Sequence, residues 1–195
     1  MSNKKIETLR QKVKDVESRH SSSTQAPDVA RQSEDYFSGA ADFESLNTKD
    51  DTPKRIRWSA MELLARREHS VKELTNKLLK RYPENPQEIT DCVVALSEDN
   101  LQSDKRFCEA YVAMRKRKGY GPQRIAAELR ERGVSETLAK PQLRDPANDW
   151  FATAADVWQR KFHGHQPQDL KEKARQIRFL TYRGFYSSHI QELLN

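Results

Sequence analysis

The sequence of 195 residues has little of what builds membrane spans or secreted proteins. It has only two cysteines and six glycines, and no run of apolar residues is longer than five. Because a membrane-spanning helix needs about 18 or more apolar residues in succession, this pattern excludes a helical membrane protein. The first twenty residues also lack the apolar segment of about 7 to 15 residues that marks a secretory signal. We therefore expect a cytoplasmic protein.

The sequence also lacks the patterns that mark cofactor, metal and nucleotide sites. Cys92 and Cys108 have no CxxC partner, so both are expected to be core residues rather than zinc ligands or half of a disulfide. No further Cys or His follows His163 and His165 at ligand spacing, which favours a solvated loop. Neither a GxxxxGK(S/T) nor a GxGxxG loop is present. We expect a protein that is not an enzyme and uses no cofactor or metal.

Charge is distributed unevenly along the chain, whose net charge is +6. Residues 1–52 carry 8 basic and 10 acidic side chains, which leaves 27 and 19, or +8, for residues 53–195. Residues 25–52 are acidic and have too few apolar side chains to offset the loss of chain entropy, so disorder is expected there. Apolar residues at helical spacing between Ile6 and Val16 allow one short helix in this N-terminal extension. The basic remainder would attract a polyanion or an acidic protein surface.

From residue 53 onward the pattern predicts nine short amphipathic helices and no strand, and hence an all-α fold. Ser70 with Glu73 has the spacing of a capping box and starts one helix. Pro141 is expected to break or kink the sixth helix unless that helix ends just before it. The predicted inward face of the eighth helix consists of Leu170, Ala174, Ile177 and Leu180.

The helix junctions share a repeated pattern. A basic residue, a ring two positions later and a sharp turn precede two apolar anchors, which lie seven and eleven positions after the basic residue. The three copies are Arg67, His69, Leu74 and Leu78; Lys118, Tyr120, Ile125 and Leu129; and Arg183, Phe185, Ile190 and Leu194. Such repeats bury a continuous core by stacking on their neighbours, so we expect an elongated, curved array.

Several segments, taken together and in order, resemble the RecX family of bacterial regulators of the RecA recombinase. The resemblance covers residues 55–194. Its most informative segments are Leu64-Ala65-Arg66-Arg67-Glu68-His69-Ser70, Asp104-Lys105-Arg106-Phe107, Arg117-Lys118-Gly119-Tyr120-Gly121-Pro122 and Tyr182-Arg183-Gly184-Phe185. Two departures stand out: Ser103 occupies a position where the family often has an acidic residue, and residues 1–52 have no counterpart in shorter members.

The resemblance implies tandem three-helix, helix-turn-helix-like units that bind and restrain the recombinase filament. We place the units at about residues 53–101, 102–147 and 148–195, after an N-terminal extension at residues 1–52. We expect the protein to be a monomer.

The run Arg115, Lys116, Arg117 and Lys118 is the most informative candidate site. No carboxylate lies three or four positions away on the same helix, so the four charges have no partner there. Cations do suit a helix C-terminus, but that explains only one or two of them. Arg124 and Glu128 are four apart, which allows a simple surface pair. The complete set of candidate partner-binding or DNA-binding residues is Arg66, Arg67, Lys72, Arg115, Lys116, Arg117, Lys118, Arg124, Lys173, Arg178 and Arg183.

The leading hypothesis is a regulator that binds the RecA nucleoprotein filament and inhibits its ATP hydrolysis, strand exchange and co-protease activities. The alternative is an autonomous DNA-binding protein without sequence specificity, for single or double strands. Tyr120, Phe185 and Tyr186 could stack on bases, although rings at helix junctions more often close a core.

Overall fold

The computed structural model describes residue 11 and residues 51–194. The disorder and the short helix predicted within residues 1–52 lie almost wholly outside this range. The described residues form nine α-helices and contain no strand, which confirms the all-α prediction. None of these helices combines the length and the apolar character needed to cross a bilayer.

The chain divides into two compact units. The first, Met1–Gln102, contains α1 to α3, and the second, Ser103–Asn195, contains α4 to α9. The helices are α1 (Thr52–Arg66), α2 (Val71–Arg81), α3 (Pro86–Glu98), α4 (Asp104–Arg117), α5 (Pro122–Glu131), α6 (Glu136–Arg144), α7 (Trp150–Phe162), α8 (Leu170–Arg183) and α9 (Ser187–Leu194).

Short polar side chains begin several of these helices, as their positions in the sequence predict. The hydroxyl of Ser70 accepts a hydrogen bond from the backbone N–H of Glu73 at 3.1 Å, and Ser103 accepts one from Arg106 at 3.4 Å. Each cap satisfies an amide that has no partner inside its own helix. The predicted starts of α2 and α4 are therefore confirmed.

In the first unit, α1, α2 and α3 contact one another and enclose a single apolar core. The anchors of the first repeat, Leu74 and Leu78, lie fully inside it. Other buried members are Ile56, Ala60, Val71, Ile89, Val93 and Leu96. The three helices thus form one three-helix repeat.

The second unit contains two such cores. Helices α4, α5 and α6 pack around Phe107, Ile125 and Leu129, while α7, α8 and α9 pack around Trp158 and Leu180. All the anchors that the repeat pattern identifies in this unit are buried. Tandem three-helix repeats are therefore confirmed, whereas their exact boundaries stay a prediction.

Pro141 neither breaks α6 nor ends it, since the helix continues to Arg144. The helix is held by burial of Ala139 and Leu143, and its last carbonyls have donors from outside the helix. The indole of Trp150 donates to the carbonyl of Leu143 at 2.8 Å, and Asn148 donates to that of Gln142 at 2.7 Å. These contacts offset the hydrogen bond that proline cannot make.

The predicted inward face of α8 is largely wrong. Leu170 is 86% exposed and Ile177 39%, whereas Gln176 and Leu180 are buried. The Gln176 carbonyl accepts a hydrogen bond from the Trp158 indole at 2.7 Å, and its amide donates to the carbonyl of His165 at 3.1 Å. Because both the oxygen and the nitrogen of this side-chain amide have hydrogen-bond partners, Gln176 can be buried. A polar residue therefore lies on the inward face of α8, where the periodicity predicted apolar ones.

Candidate functional site

The junction between α4 and α5 is a sharp turn built on glycine. Gly119 has φ +75°, a region that residues with a Cβ rarely adopt. Its N–H donates to the carbonyl of Lys116 at 2.8 Å, and that of Tyr120 donates to Arg115 at 3.1 Å. Pro122 then starts α5, where its missing N–H would have had no partner. The turn therefore follows directly from Gly119-Tyr120-Gly121-Pro122.

This turn is joined to the junction between α8 and α9 by backbone hydrogen bonds. The N–H of Gly121 donates to the carbonyl of Arg183 at 2.8 Å, and that of Gln123 donates to Gly184 at 3.0 Å. A Cβ on Gly121 would lie 2.3 Å from the carbonyl oxygen of Gly184. The two junctions approach this closely only because glycine stands at position 121.

Three guanidinium groups surround the ring of Tyr120. The guanidinium carbons of Arg115, Arg124 and Arg183 lie 4.2, 4.5 and 5.4 Å from the ring centre. All three are within the roughly 6 Å at which a cation is attracted to an aromatic face. We call these four residues, together with Glu128, the Tyr120 cluster.

Glu128 is the carboxylate that balances this positive charge. It accepts hydrogen bonds from Nε and Nη2 of Arg115, from the Tyr111 hydroxyl at 2.9 Å and from Nε of Arg124 at 3.2 Å. Burial by itself raises the pKa of Glu128, but these hydrogen bonds outweigh burial and lower that pKa below its ordinary value. Burial, with the hydrogen bond to Glu128, raises the pKa of Tyr111 to about 12.

The interpretation of residues 115–118 as four unpaired cations needs correction. Arg115 is paired with Glu128 of the next helix, and its side chain is only 17% exposed. Lys116 is half-buried, 3.3 Å from the carbonyl of Ala147. Arg117 and Lys118 are exposed and form no ion pair with any residue in the described range. The charge open to a partner is therefore that of Arg117 and Lys118.

The predicted pair between Arg124 and Glu128 is confirmed at 3.2 Å, and Arg183 has a structural role as well. Nη1 of Arg183 donates to the carbonyl of Lys118 at 3.1 Å and lies 3.4 Å from that of Gly119. Arg183 thus satisfies carbonyls at the end of α4, which a cation does favourably. The structure brings Arg115, Arg124 and Arg183 together, although they are far apart in sequence.

Two other predicted site residues lie on α8, where sequence reasoning missed a neighbour. Arg178 is exposed, and Lys173 lines a groove between α8 and α9 with Ile177 and Ile190. Tyr182 was missed: its side chain is 74% exposed, and the Arg124 guanidinium lies 5.2 Å from its ring. Its spacing of four from Arg178 was the available signal, because residues four apart share a helix face.

The predicted site residues of the first unit surround the α1–α2 junction. Arg67 pairs with Glu73 at 3.0 Å, and Arg66 lies 4.0 Å from Glu62. Both arginines are exposed, and Lys72 is partly buried. The ring of this junction, His69, is buried. Burial, together with the positive charge of Arg67, lowers the pKa of His69.

The two imidazoles considered as metal ligands lie in and after the turn that follows α7. His163 ends the helix with φ +55°, and Nδ1 of His165 lies 2.9 Å from the carbonyl of Phe162. In the part of the chain that the structure describes, no group of three His, Cys, Asp or Glu residues could hold a metal ion.

Comparison with known proteins places these features in one family. Residues 103–140 match the model of the second three-helix domain of RecX, and residues 148–194 match that of the third. The regulatory protein RecX of Ectopseudomonas mendocina (strain ymp) is 47% identical over 145 residues, covering 74% of this chain and 95% of the relative. That of Pseudomonas fluorescens (strain SBW25) is 46% identical, also over 145 residues, covering 74% of this chain and 93% of the relative.

Solved structures support the fold. The crystal structure of RecX from Lactobacillus salivarius superposes with a TM-score of 0.62 at 18% identity, covering 74% of this chain and 95% of the other. A crystal structure of regulatory protein RecX gives a TM-score of 0.63 at 20% identity, covering 74% of this chain and 73% of the other. With near half of the aligned residues identical to curated relatives over most of their length, the chain belongs to the RecX family of regulatory proteins.

Proposed function

We propose that this protein is a negative modulator of the RecA recombinase that regulates DNA repair and recombination. It binds the RecA nucleoprotein filament and inhibits ATP hydrolysis, strand exchange and co-protease activity. The observation that carries the proposal is the 47% identity over 145 residues with a relative named regulatory protein RecX. RecA is the partner that the family resemblance implies.

The arrangement of charge around the Tyr120 cluster supports a binding role. Arg115, Arg124 and Arg183 are engaged by Tyr120, Glu128 and backbone carbonyls, which stiffens both junctions. Arg117 and Lys118 project from this stiff base and are exposed. Because the backbone that carries these charges is already fixed, binding costs little further backbone freedom, so more of the interaction energy is left for affinity. We therefore assign filament contact to Arg117 and Lys118, with Arg178 and Tyr182 as exposed residues of the same unit.

The test is the ATP hydrolysis of RecA, stimulated by single-stranded DNA, with increasing amounts of this protein. We expect turnover to fall as the protein is added. Unchanged turnover at several-fold molar excess would overturn the proposed function. Strand exchange and co-protease cleavage, measured in the same titration, should fall in parallel.

The contact site is tested by a double charge reversal, Arg117→Glu with Lys118→Glu. The matched control is Lys80→Glu with Arg81→Glu, which reverses two adjacent exposed cations in the last turn of α2. Arg81 pairs with Glu62 at 3.8 Å, but both side chains are exposed, so the loss of this pair should cost under about 1 kcal/mol. We expect only the first variant to lose inhibition, with helicity unchanged in both. Arg115 is left intact because its reversal would remove the partner of Glu128 and confound binding with stability.

The same proteins distinguish direct DNA binding from filament binding. Binding to bare single-stranded or double-stranded DNA, measured at several salt concentrations without RecA, reports the electrostatic contacts to phosphate. If the first variant lost DNA binding but inhibited RecA as well as the unchanged protein does, the site would be that of an autonomous DNA-binding protein. That outcome contradicts the assignment of filament contact to Arg117 and Lys118.

A further inference from the structure

A groove of about 500 Å³ runs between α5 and α6 and belongs to none of the features described above. Small apolar side chains form its floor, among them Ala126, Ala127 and Ala139, with Val134 and Leu143 beside them. Alanine side chains leave room that longer residues on the same helices would fill. The floor can therefore accept an apolar side chain from a partner, whose burial is favourable.

The edge of the groove is basic. Lys140 is paired with Glu136 at 2.6 Å, so these two charges balance each other. Arg130 and Arg144 also line the groove, are exposed and are not within ion-pair distance of any carboxylate in the described range. Two guanidinium groups without an ion-pair partner in the described range thus flank an apolar floor, although Arg130 is close enough to Glu136 to attract its carboxylate. Guanidinium recognises carboxylates through paired hydrogen bonds.

We propose that the α5–α6 groove binds an acidic peptide segment of a partner protein. An apolar side chain of that segment rests on the alanine floor, and its carboxylates pair with Arg130 and Arg144. Tyr186, which is 44% exposed, lines the groove and adds the kind of amphipathic ring that is enriched at protein interfaces. A phosphate backbone would satisfy the two arginines but leave the floor empty, and for this reason the groove fits a peptide better than a nucleic acid.

This inference does not rest on the proposed inhibition of RecA, because its residues differ from Arg117 and Lys118 and its test contains no recombinase. The probe is a fluorescein-labelled peptide in which glutamates flank a central leucine. Its fluorescence anisotropy is followed with the full-length protein at low salt. A second peptide with the leucine replaced by glutamate measures the contribution of charge alone. We expect the leucine peptide to bind more tightly, since only it reaches the floor.

Two groups of variants test the two parts of the groove. Arg130→Glu with Arg144→Glu should weaken binding of the leucine peptide about tenfold or more, as expected when attractive charges become repulsive. Ala127→Leu should fill the floor and remove the difference between the two peptides. The control Lys80→Glu with Arg81→Glu should leave binding unchanged. Circular dichroism verifies that each variant retains its helices.

Three results would overturn the proposal by assigning the groove to a different occupant. If both peptides bound equally well, the groove would be a site for any polyanion. The same would follow if a single-stranded oligonucleotide bound and Arg130→Glu with Arg144→Glu weakened its binding as much as that of the leucine peptide. If the protein self-associated and Arg130→Glu with Arg144→Glu abolished this association, the occupant would be a second copy of the chain. If neutralising the acidic side chains of residues 28–51 in the full-length protein raised peptide affinity, the occupant would be the chain's own acidic segment. Failure of any peptide to bind would also contradict the proposal.

Discussion

The α1–α2 junction and the α4–α5 junction follow one sequence pattern but differ in their surroundings. At the first, Arg67 is exposed and pairs with Glu73 of the adjoining helix, while His69 fills the ring position inside the core. At the second, Lys118 is exposed, and the ring of Tyr120 is surrounded by three guanidinium groups from α4, α5 and α8.

The comparison distinguishes two roles of the pattern: it shapes the local helix–turn–helix, and at the second junction it also joins distant helices. In both copies it ends one helix, starts the next and buries two anchors. The second copy is joined backbone to backbone to the third, through the N–H groups of Gly121 and Gln123. The first copy instead accepts a side-chain hydrogen bond, from the amide of Gln102 to the carbonyl of His69 at 3.1 Å. We therefore expect changes at the second junction to cost more stability than matched changes at the first.

The largest effect is expected at Gly121. Its Cβ would overlap the carbonyl oxygen and carbon of Gly184, so Gly121→Ala must separate the two junctions. We expect a loss of about 3 kcal/mol, as for overpacked cores. The matched change, Ser70→Ala, removes a helix cap and should cost about 1 kcal/mol. Urea denaturation followed by circular dichroism gives both values, and equal losses would show that the junctions are not interlocked.

The next largest effect is expected at Glu128, the shared acceptor of the Tyr120 cluster. Glu128→Ala leaves Arg115 half-buried without its carboxylate, and the expected loss in the free energy of unfolding is about 2 kcal/mol. Glu73→Ala removes the partner of the exposed Arg67 and should cost under about 1 kcal/mol. The same denaturation experiment compares them. A smaller loss for Glu128→Ala than for Glu73→Ala would contradict a central role for that carboxylate.

Replacing the basic residue of the pattern should also cost more stability near the second junction than at the first, but the difference should be smaller than at Glu128. Arg183→Ala loses the hydrogen bond to the carbonyl of Lys118 and the contact with Tyr120, for which we expect about 1 to 1.5 kcal/mol. Arg67→Ala is expected to change stability by about 0.5 kcal/mol or less, because its ion pair is exposed. Thermal melting of both variants tests this, and indistinguishable melting temperatures would remove the distinction between the two arginines.

The smallest effect is a pH dependence belonging to the first junction. Burial lowers the pKa of His69 below its ordinary 6.5, so the unfolded chain binds a proton that the folded chain does not. This contribution to stability is present above pH 6.5 and is lost as the pH falls below it. His69→Phe should flatten the dependence of the melting temperature on pH between 7 and 5.

Glu128 provides the contrast within the same titration. Its pKa is below the ordinary 4.5, so its contribution is present above pH 4.5 and is lost as the pH falls further. Glu128→Gln should alter only that lower range and His69→Phe only the upper one. An unchanged slope between pH 7 and 5 in His69→Phe would exclude His69 as the titrating group.

Much of the fold was predictable because its signals are local. Caps such as Ser70, the turn at Gly119 and the spacing of Ile125 and Leu129 each involve neighbours in sequence. The predictions failed where a distant group decided the outcome. Gln176 is buried because Trp158 and His165 satisfy its amide, and apolar periodicity does not register such partners.

The candidate site shows the same limit. Within α4 itself, no carboxylate lies three or four positions from residues 115–118, as the sequence indicates. Glu128 lies 13 positions after Arg115 and reaches it only because α5 folds back against α4. Tertiary packing thus divides one basic run into a structural member, Arg115, and an exposed pair, Arg117 and Lys118.

The sequence by itself determined the helices, their ends, the repeated junction and the excess of positive charge after residue 52. These follow from backbone preferences, capping and side-chain spacing, which act over a few residues. Only the tertiary structure decided which cations are neutralised, which apolar residues of α8 face solvent and why Gly121 must be glycine. Those outcomes depend on groups brought together from different helices, where distance and burial set the energy of each contact.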